Sequence, residues 1–211
     1  MDSDDDRDSG MFFVPLDCEG VSRGKPLDKI GQRDLNQGEI YFDNVRIPAN
    51  HMLVGPEMYE MVMDMILAGA NGGMATTFTG VARSAFEEAL KYCKERVAGG
   101  KVISQHQLVQ KRLFDMFTRV ESARALTRAV NAYNAQAMPP EPHYAVAAKV
   151  QNTETAFAVA SDAIQLLGGC GLSREYPVER IFRDARAALI EDGDNDTLRL
   201  GGARFLLERY S

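Results

Sequence analysis

Phe86-Glu87-Glu88-Ala89-Leu90-Lys91-Tyr92-Cys93 places Phe86, Leu90 and Cys93 at i, i+4 and i+7, the spacing of one face of an α-helix. The apolar positions continue backwards through Phe78, Met74, Met65 and Met61. They predict a helix over 57–97, opened by the break at Gly55-Pro56 and closed by Ala98-Gly99-Gly100. Gly72-Gly73 and Gly80 interrupt good helix formers, and each Gly costs about 1 kcal/mol relative to Ala in a helix interior. Such positions often let another backbone, or a ligand, come close.

Outward from this helix the same grammar repeats. A second helix is predicted over 104–137, with Leu108, Leu113, Phe117, Val120, Ala123 and Leu126 inward. Met138-Pro139-Pro140-Glu141-Pro142 then breaks the chain. A third helix covers 144–167 and stops at Gly168-Gly169, a short one covers 178–188, and a last one covers 197–209. Long amphipathic helices on short loops make a bundle. The chain is therefore read as mainly α, a four-helix-bundle-type domain.

The stretch before the bundle differs. Met11-Phe12-Phe13-Val14-Pro15-Leu16 suits a buried strand, and 38–48 reads as another, with Ile40, Phe42 and Val45 able to face inward until Pro48 ends it. Two strands are marginal alone and leave unpaired edges, so they read as the remainder of a larger sheet. The opening ten residues carry five aspartates and read as a solvated, disordered tail.

Composition narrows the function classes. The chain has 211 residues and a formal net charge of −6, with 45 % hydrophobic and 26 % charged residues. An acidic balance without a basic cluster argues against nucleic acid as the main partner. No run approaches the roughly 20 apolar residues of a membrane span, and the acidic N-terminus is unlike a signal peptide. Cys18, Cys93 and Cys170 are far apart and read as buried, inert thiols in a reducing compartment. His51, His106 and His143 show no ligand spacing, so no metal is expected. Neither a nucleophile elbow nor a phosphate-binding glycine loop is present.

Two stretches are chemically suggestive. Gln165-Leu166-Leu167-Gly168-Gly169-Cys170-Gly171 is explained as a helix C-cap, and its glycines also bare backbone N–H groups to a ligand. Glu191-Asp192-Gly193-Asp194-Asn195-Asp196 holds four carboxylates in six residues. It reads as an acidic surface turn, as calcium ligands lacking EF-hand spacing, or as a general base at a pocket wall.

Taken in order, the residues resemble the C-terminal part of an acyl-CoA dehydrogenase. The matching stretches are 20–24, 28–33, 42–48, Gly80-Val81-Ala82 with Tyr92 and Arg96, His106-Gln107, 165–169, 175–179 and Arg183-Asp184-Ala185. The resemblance implies that 1–54 is the end of a β-barrel-like middle domain and 55–211 the complete helical bundle. The family's N-terminal domain and the front of its β domain are missing, so this portion alone is expected to be inactive. A separate N-terminal-half subunit is one way to complete it.

The family reaction is α,β-dehydrogenation: a carboxylate removes the α-proton of an acyl-CoA thioester while the β-hydride passes to FAD. Electrons then go to an electron-transfer flavoprotein. By alignment the base falls on Asp192, with Glu191 as the alternative. Asp is one methylene shorter than the family's Glu. The resemblance carries Arg96 onto the pyrophosphate of a neighbouring subunit's flavin, with His106 and Gln107 as further contacts and Gln165, Gly168 and Gly169 on the adenosine side. These contacts imply a dimer or tetramer. Asp194 stands where a flavin-contacting Thr is usual, Ala98-Gly99 replaces a Thr-Phe pair, and Ala68 and Asn71 replace an Asp and Arg that help hold CoA. These departures keep open a second reading, a non-catalytic bundle acting as partner or scaffold. A related flavin oxidase is a third. The implied compartment is the cytoplasm, or the mitochondrial matrix in a eukaryote.

Overall fold

The computed structural model describes residues 9–209, so most of the acidic opening lies outside the described residues. The chain is mainly α. Helix α1 (Pro56–Glu95) starts with Pro in its first turn and runs unbroken through Gly72, Gly73 and Gly80. A β-carbon at Gly72 would lie 2.7 Å from Asn131 Oδ1, so this glycine brings α1 against α2. Nothing packs within 4 Å of such an atom at Gly73 or Gly80. α1 gives way to a two-stranded hairpin, β5 (Val97–Ala98) and β6 (Lys101–Val102). Its turn is Gly99 and Gly100, at φ 63° and 78°, values that glycine adopts without steric cost. A 3₁₀ turn over Ile103–Gln105 leads into α2 (Gln107–Asn134). Helices α3 (Pro142–Leu167), α4 (Val178–Ala187) and α5 (Asn195–Arg209) follow.

α3 is the central helix and packs against all four others. By length and composition it could cross a membrane, an 18-residue stretch within Pro142–Leu172 having mean hydropathy 1.3. Its apolar faces are instead taken up by neighbouring helices. The α1–α3 seam is built from fully buried alanines, Ala82, Ala85 and Ala89 against Ala156, Ala160 and Ala163, with Phe78, Met116, Val120 and Val159 filling the space around them. Small residues let the two backbones approach closely. Asn152 ties three helices together, its Nδ2 donating to Ala75 O on α1 (3.2 Å) and Ala123 O on α2 (3.1 Å).

Several expectations shift. α2 buries Leu113, Met116, Val120, Ala123, Thr127 and Val130, an alternating three- and four-residue step. Leu108 and Phe117 therefore fall on its outer side and are 82 % and 43 % exposed. Cys93 is buried, whereas Cys18 and Cys170 are half-buried. Strands β1 (Met11–Phe12) and β4 (Met52–Val54) pair antiparallel, as do β2 (Val21–Arg23) and β3 (Ile40–Phe42). Both predicted strands shrink, the first ending before Pro15 and the second at the turn around Asn44 (φ 50°). Ile40 and Phe42 do not face inward but are exposed, because among the described residues no second layer covers this ribbon.

Candidate active site

After α4 the chain turns sharply. The N–H groups of Ile190 and Glu191 both donate to Ala187 O, and Asn195 N–H donates back to Leu189 O at 3.0 Å. The reversal falls on Asp192 (φ 49°) and Gly193 (φ 99°), both left-handed. Asp194 then caps α5: its Oδ2 accepts the N–H groups of Asp196 and Thr197, each at 3.1 Å. Those bonds, led by the one from Thr197 N–H, hold the Asp194 carboxyl below its ordinary value. Among the described residues no group of three or more His, Cys, Asp or Glu is arranged to hold a metal ion.

Beside the turn lies a cleft of about 380 Å³ whose walls include Met74, Phe78 and Val81 of α1, Asp184 of α4, Glu191, Asp192 and Gln32. Gln32 belongs to the loop between β2 and β3, docked here by four bonds, one of them from its Nε2 to Asp184 O at 3.4 Å. Its N–H donates to Asp184 Oδ1 and its Nε2 to Glu191 Oε2, both at 2.5 Å, and Arg183 Nη1 donates to Ile30 O at 2.8 Å. Gly31 makes the approach possible, since a β-carbon there would sit 2.2 Å from Arg183 O. The docking separates the two candidate bases. Glu191 is engaged by Gln32, whereas Asp192 is exposed at the cleft and makes no side-chain hydrogen bond or ion pair among the described residues.

The turn is backed by Lys149 of α3, which is fully buried. Its Nζ donates to Gly193 O (2.6 Å) and Asn195 Oδ1 (2.8 Å). Burial pushes its pKa down, and the charges of Asp192, Asp194 and Glu191 partly oppose that shift. Neither Gln32 nor Lys149 stood out in the sequence. The available signal for Lys149 was a cation on the inward stripe Ala145, Ala148, Asn152, Ala156 of α3.

The remaining candidates gather elsewhere. Arg96 caps the end of α1, about 22 Å beyond Val81 by the helical rise. Its carbonyl accepts Ile103 N–H at 2.8 Å, which closes the hairpin. His106 Nε2 lies 3.0 Å from Ala98 O and braces the same hairpin, and Gln107 opens α2 beside it, exposed. The α3 end is adjacent: the Tyr92 and Tyr176 rings meet edge-on at 5.7 Å, and the Cys170 thiol raises the pKa of Tyr92 by hydrogen bonding while the Arg96 charge lowers it. Gln165, Gly168 and Gly169 are exposed there, with no atom within 4 Å of a β-carbon built on either glycine. Arg96 is exposed and forms no ion pair among the described residues. An unpaired guanidinium beside bare glycine backbone fits the anionic part of a dinucleotide.

A family model described as acyl-CoA dehydrogenase, C-terminal domain, matches residues 60–207. This chain belongs to the acyl-CoA dehydrogenase family. It is 36 % identical over 203 residues to cyclohexane-1-carbonyl-CoA dehydrogenase of Geobacter metallireducens, covering 94 % of this chain and 52 % of that protein. The solved butyryl-CoA dehydrogenase of Megasphaera elsdenii superimposes with a TM-score of 0.86 at 32 % identity, over 93 % of this chain and 51 % of that one. A glutaryl-CoA dehydrogenase from Mycobacterium smegmatis, solved in complex with FADH2, superimposes with a TM-score of 0.85 at 25 % identity, over 95 % and 51 % of the two chains.

The helices are thus the C-terminal domain of the acyl-CoA dehydrogenase family, a flavoprotein family of oxidoreductases. The chain spans about half the length of the curated relatives it matches. Within this acyl-CoA dehydrogenase domain, Glu191, Asp192 and Asp194 share one turn. Arg96, His106 and Gln107 share the far end of α1 with the glycines after α3.

Proposed function

We propose that this chain is the base-bearing C-terminal portion of an FAD-dependent acyl-CoA dehydrogenase, residues 1–54 being the end of the middle β domain and 55–211 the helical bundle. The observation that carries the reading is the state of the two neighbouring carboxylates: Glu191 accepts a hydrogen bond from Gln32, while Asp192 at the same cleft makes no side-chain hydrogen bond or ion pair among the described residues. A free carboxylate can take a proton; an engaged one must first lose its bond.

In this reading Asp192 takes the α-proton of the acyl thioester and becomes neutral. Met74, Phe78 and Val81 form the apolar wall that keeps water from the acyl carbons. FAD, when bound, supplies the acceptor for the β-hydride. Arg96 meets its pyrophosphate, with Gln107 beside it. The bare backbone at Gly168 and Gly169, next to Gln165, takes the adenosine side, and His106 keeps the hairpin in register. Asp194, at the position of the family's flavin-contacting Thr, caps α5 through Oδ2. A dimer or tetramer, an N-terminal half supplied in the same or another chain, and an electron-transfer flavoprotein complete the system.

The absorption spectrum tests this. The assembled protein, with the N-terminal half present, is expected to retain a flavin band after desalting and to bleach with a matching acyl-CoA. The 211-residue chain alone is expected to bleach with none. Acyl-CoA oxidation at full rate by the chain alone would overturn the reading. A flavin-loaded assembly that bleaches with no acyl-CoA would favour the scaffold reading, to which the shorter Asp192 and the cap role of Asp194 also point.

A further inference from the structure

The left-handed backbone of Asp192 needs an external cause. A residue with a β-carbon is disfavoured at φ 49° and keeps that conformation where its surroundings over-determine it. Most of the turn's own bonds lie on either side of this point, at Ala187, Leu189 and Asp194. The bond that reaches Gly193 itself comes from α3: Lys149 Nζ to Gly193 O at 2.6 Å. The same ammonium donates to Asn195 Oδ1 at 2.8 Å, and Asn195 Nδ2 donates to Thr153 Oγ1 at 3.1 Å. Thr153 in turn donates to Lys149 O at 2.9 Å, so α3 and the turn close into one ring of bonds. The site is fully buried, and Lys149, Thr153 and Asn195 are each at most 5 % exposed.

Packing does not ask for a cation here. The neighbouring stripe positions of α3, Ala145, Ala148 and Ala156, are apolar and close-packed. A buried ammonium is expensive and is retained where its bonds serve something an apolar side chain cannot do. What Lys149 does is grip the carbonyl one residue after Asp192 from a rigid helix in the middle of the bundle.

We propose that Lys149 is a positioning residue, whose ammonium clamps Gly193 O and Asn195 Oδ1 and so holds the Asp192 carboxylate at the wall of the cleft. This rests on reading Asp192 as the base. Removing the clamp frees the Asp192–Asn195 backbone to leave its left-handed turn, and a shift of about 1 Å in a reacting group can cost about 100-fold in rate. The apolar wall of the cleft, Met74, Phe78 and Val81, is carried by α1 and not by the turn, so binding is largely spared.

The test pairs two readouts. Amide hydrogen exchange is measured on the chain at Asn195, Asp196 and Thr197 and, as the reference, at Ala82, Ala85 and Ala89 in α1. Lys149→Met is expected to speed exchange in the turn about tenfold or more and to leave α1 unchanged. In the flavin-loaded assembly the same change is expected to lower kcat about 100-fold with KM within about threefold. Should Lys149→Met fail to fold, Asn195→Ala removes one of the two bonds and is expected to loosen the same amides to a smaller extent. Unchanged exchange in the turn, or an equal rise in α1, would overturn the clamp. A turn that loosens in Lys149→Met, together with a wild-type assembly that oxidises no acyl-CoA, would support the clamp and overturn the function reading instead.

Discussion

Gln32 Nε2 donates to Glu191 Oε2 at 2.5 Å, across 159 residues of sequence. This bond joins the β ribbon to the bundle at the cleft. It occupies one carboxylate of an adjacent pair and leaves the other available.

Breaking the latch should cost stability as well as order. A hydrogen bond to a charged group contributes ~1.5–3 kcal/mol, and less where it is partly exposed as here. Gln32→Leu is expected to destabilise by about 1 kcal/mol. Gly31→Ala is expected to cost more, ~1–3 kcal/mol, because its β-carbon would meet the backbone oxygen of Arg183 at 2.2 Å and neither backbone can yield easily. Thermal denaturation reads both. A Gly31→Ala protein as stable as wild type would show that the loop does not dock as described.

The base assignment predicts opposite effects of two changes at one position. General-base catalysis contributes roughly 10²–10⁴-fold, so Asp192→Asn is expected to lower kcat by that order while flavin retention holds. Asp192→Glu restores the missing methylene and is expected to raise kcat, by up to about 100-fold. Stopped-flow bleaching of the flavin in the assembled enzyme measures both. Full activity in Asp192→Asn combined with its loss in Glu191→Gln would move the base to Glu191.

Arg96 is expected to matter for the cofactor and not for the fold. It is exposed and unpaired among the described residues, so its loss leaves no buried partner behind. A charge-assisted contact to phosphate contributes ~1.5–3 kcal/mol, which converts to about a 10- to 150-fold weaker FAD affinity for Arg96→Gln. Flavin fluorescence on titration reports it, and an unchanged Kd would remove Arg96 from the site.

Asp194 gives a pH signature. Its folded pKa lies below the ordinary 3.8 because α5 N–H groups bond the ionised form. The cap therefore stabilises the fold fully above that ordinary value and is lost as pH falls through the lower, folded-state value. Asp194→Ala is expected to lower Tm at neutral pH, with the gap to wild type closing only under acid below about pH 4. A gap that persists unchanged at the acid end would mean that the carboxylate is not the cap.

Much of the fold and one candidate base were legible in the residues themselves. The helix period of 57–97, the proline break at 138–142 and the glycine stops are local properties, and local properties set α1, α3 and α5 to within a few residues. The ordered motifs singled out Asp192 and Arg96 as candidates. What local pattern does not contain is which faces meet. Leu108 and Phe117 follow the helical period as well as Leu113 does, yet only packing against α1 and α3 decides which are covered, and those two are not. The same holds for the site. Glu191 and Asp192 are neighbours of like charge, and nothing within the turn separates them. They are told apart by Gln32, brought from the loop between β2 and β3. A hydrogen bond depends on distance in space, and distance in space is set by the whole fold.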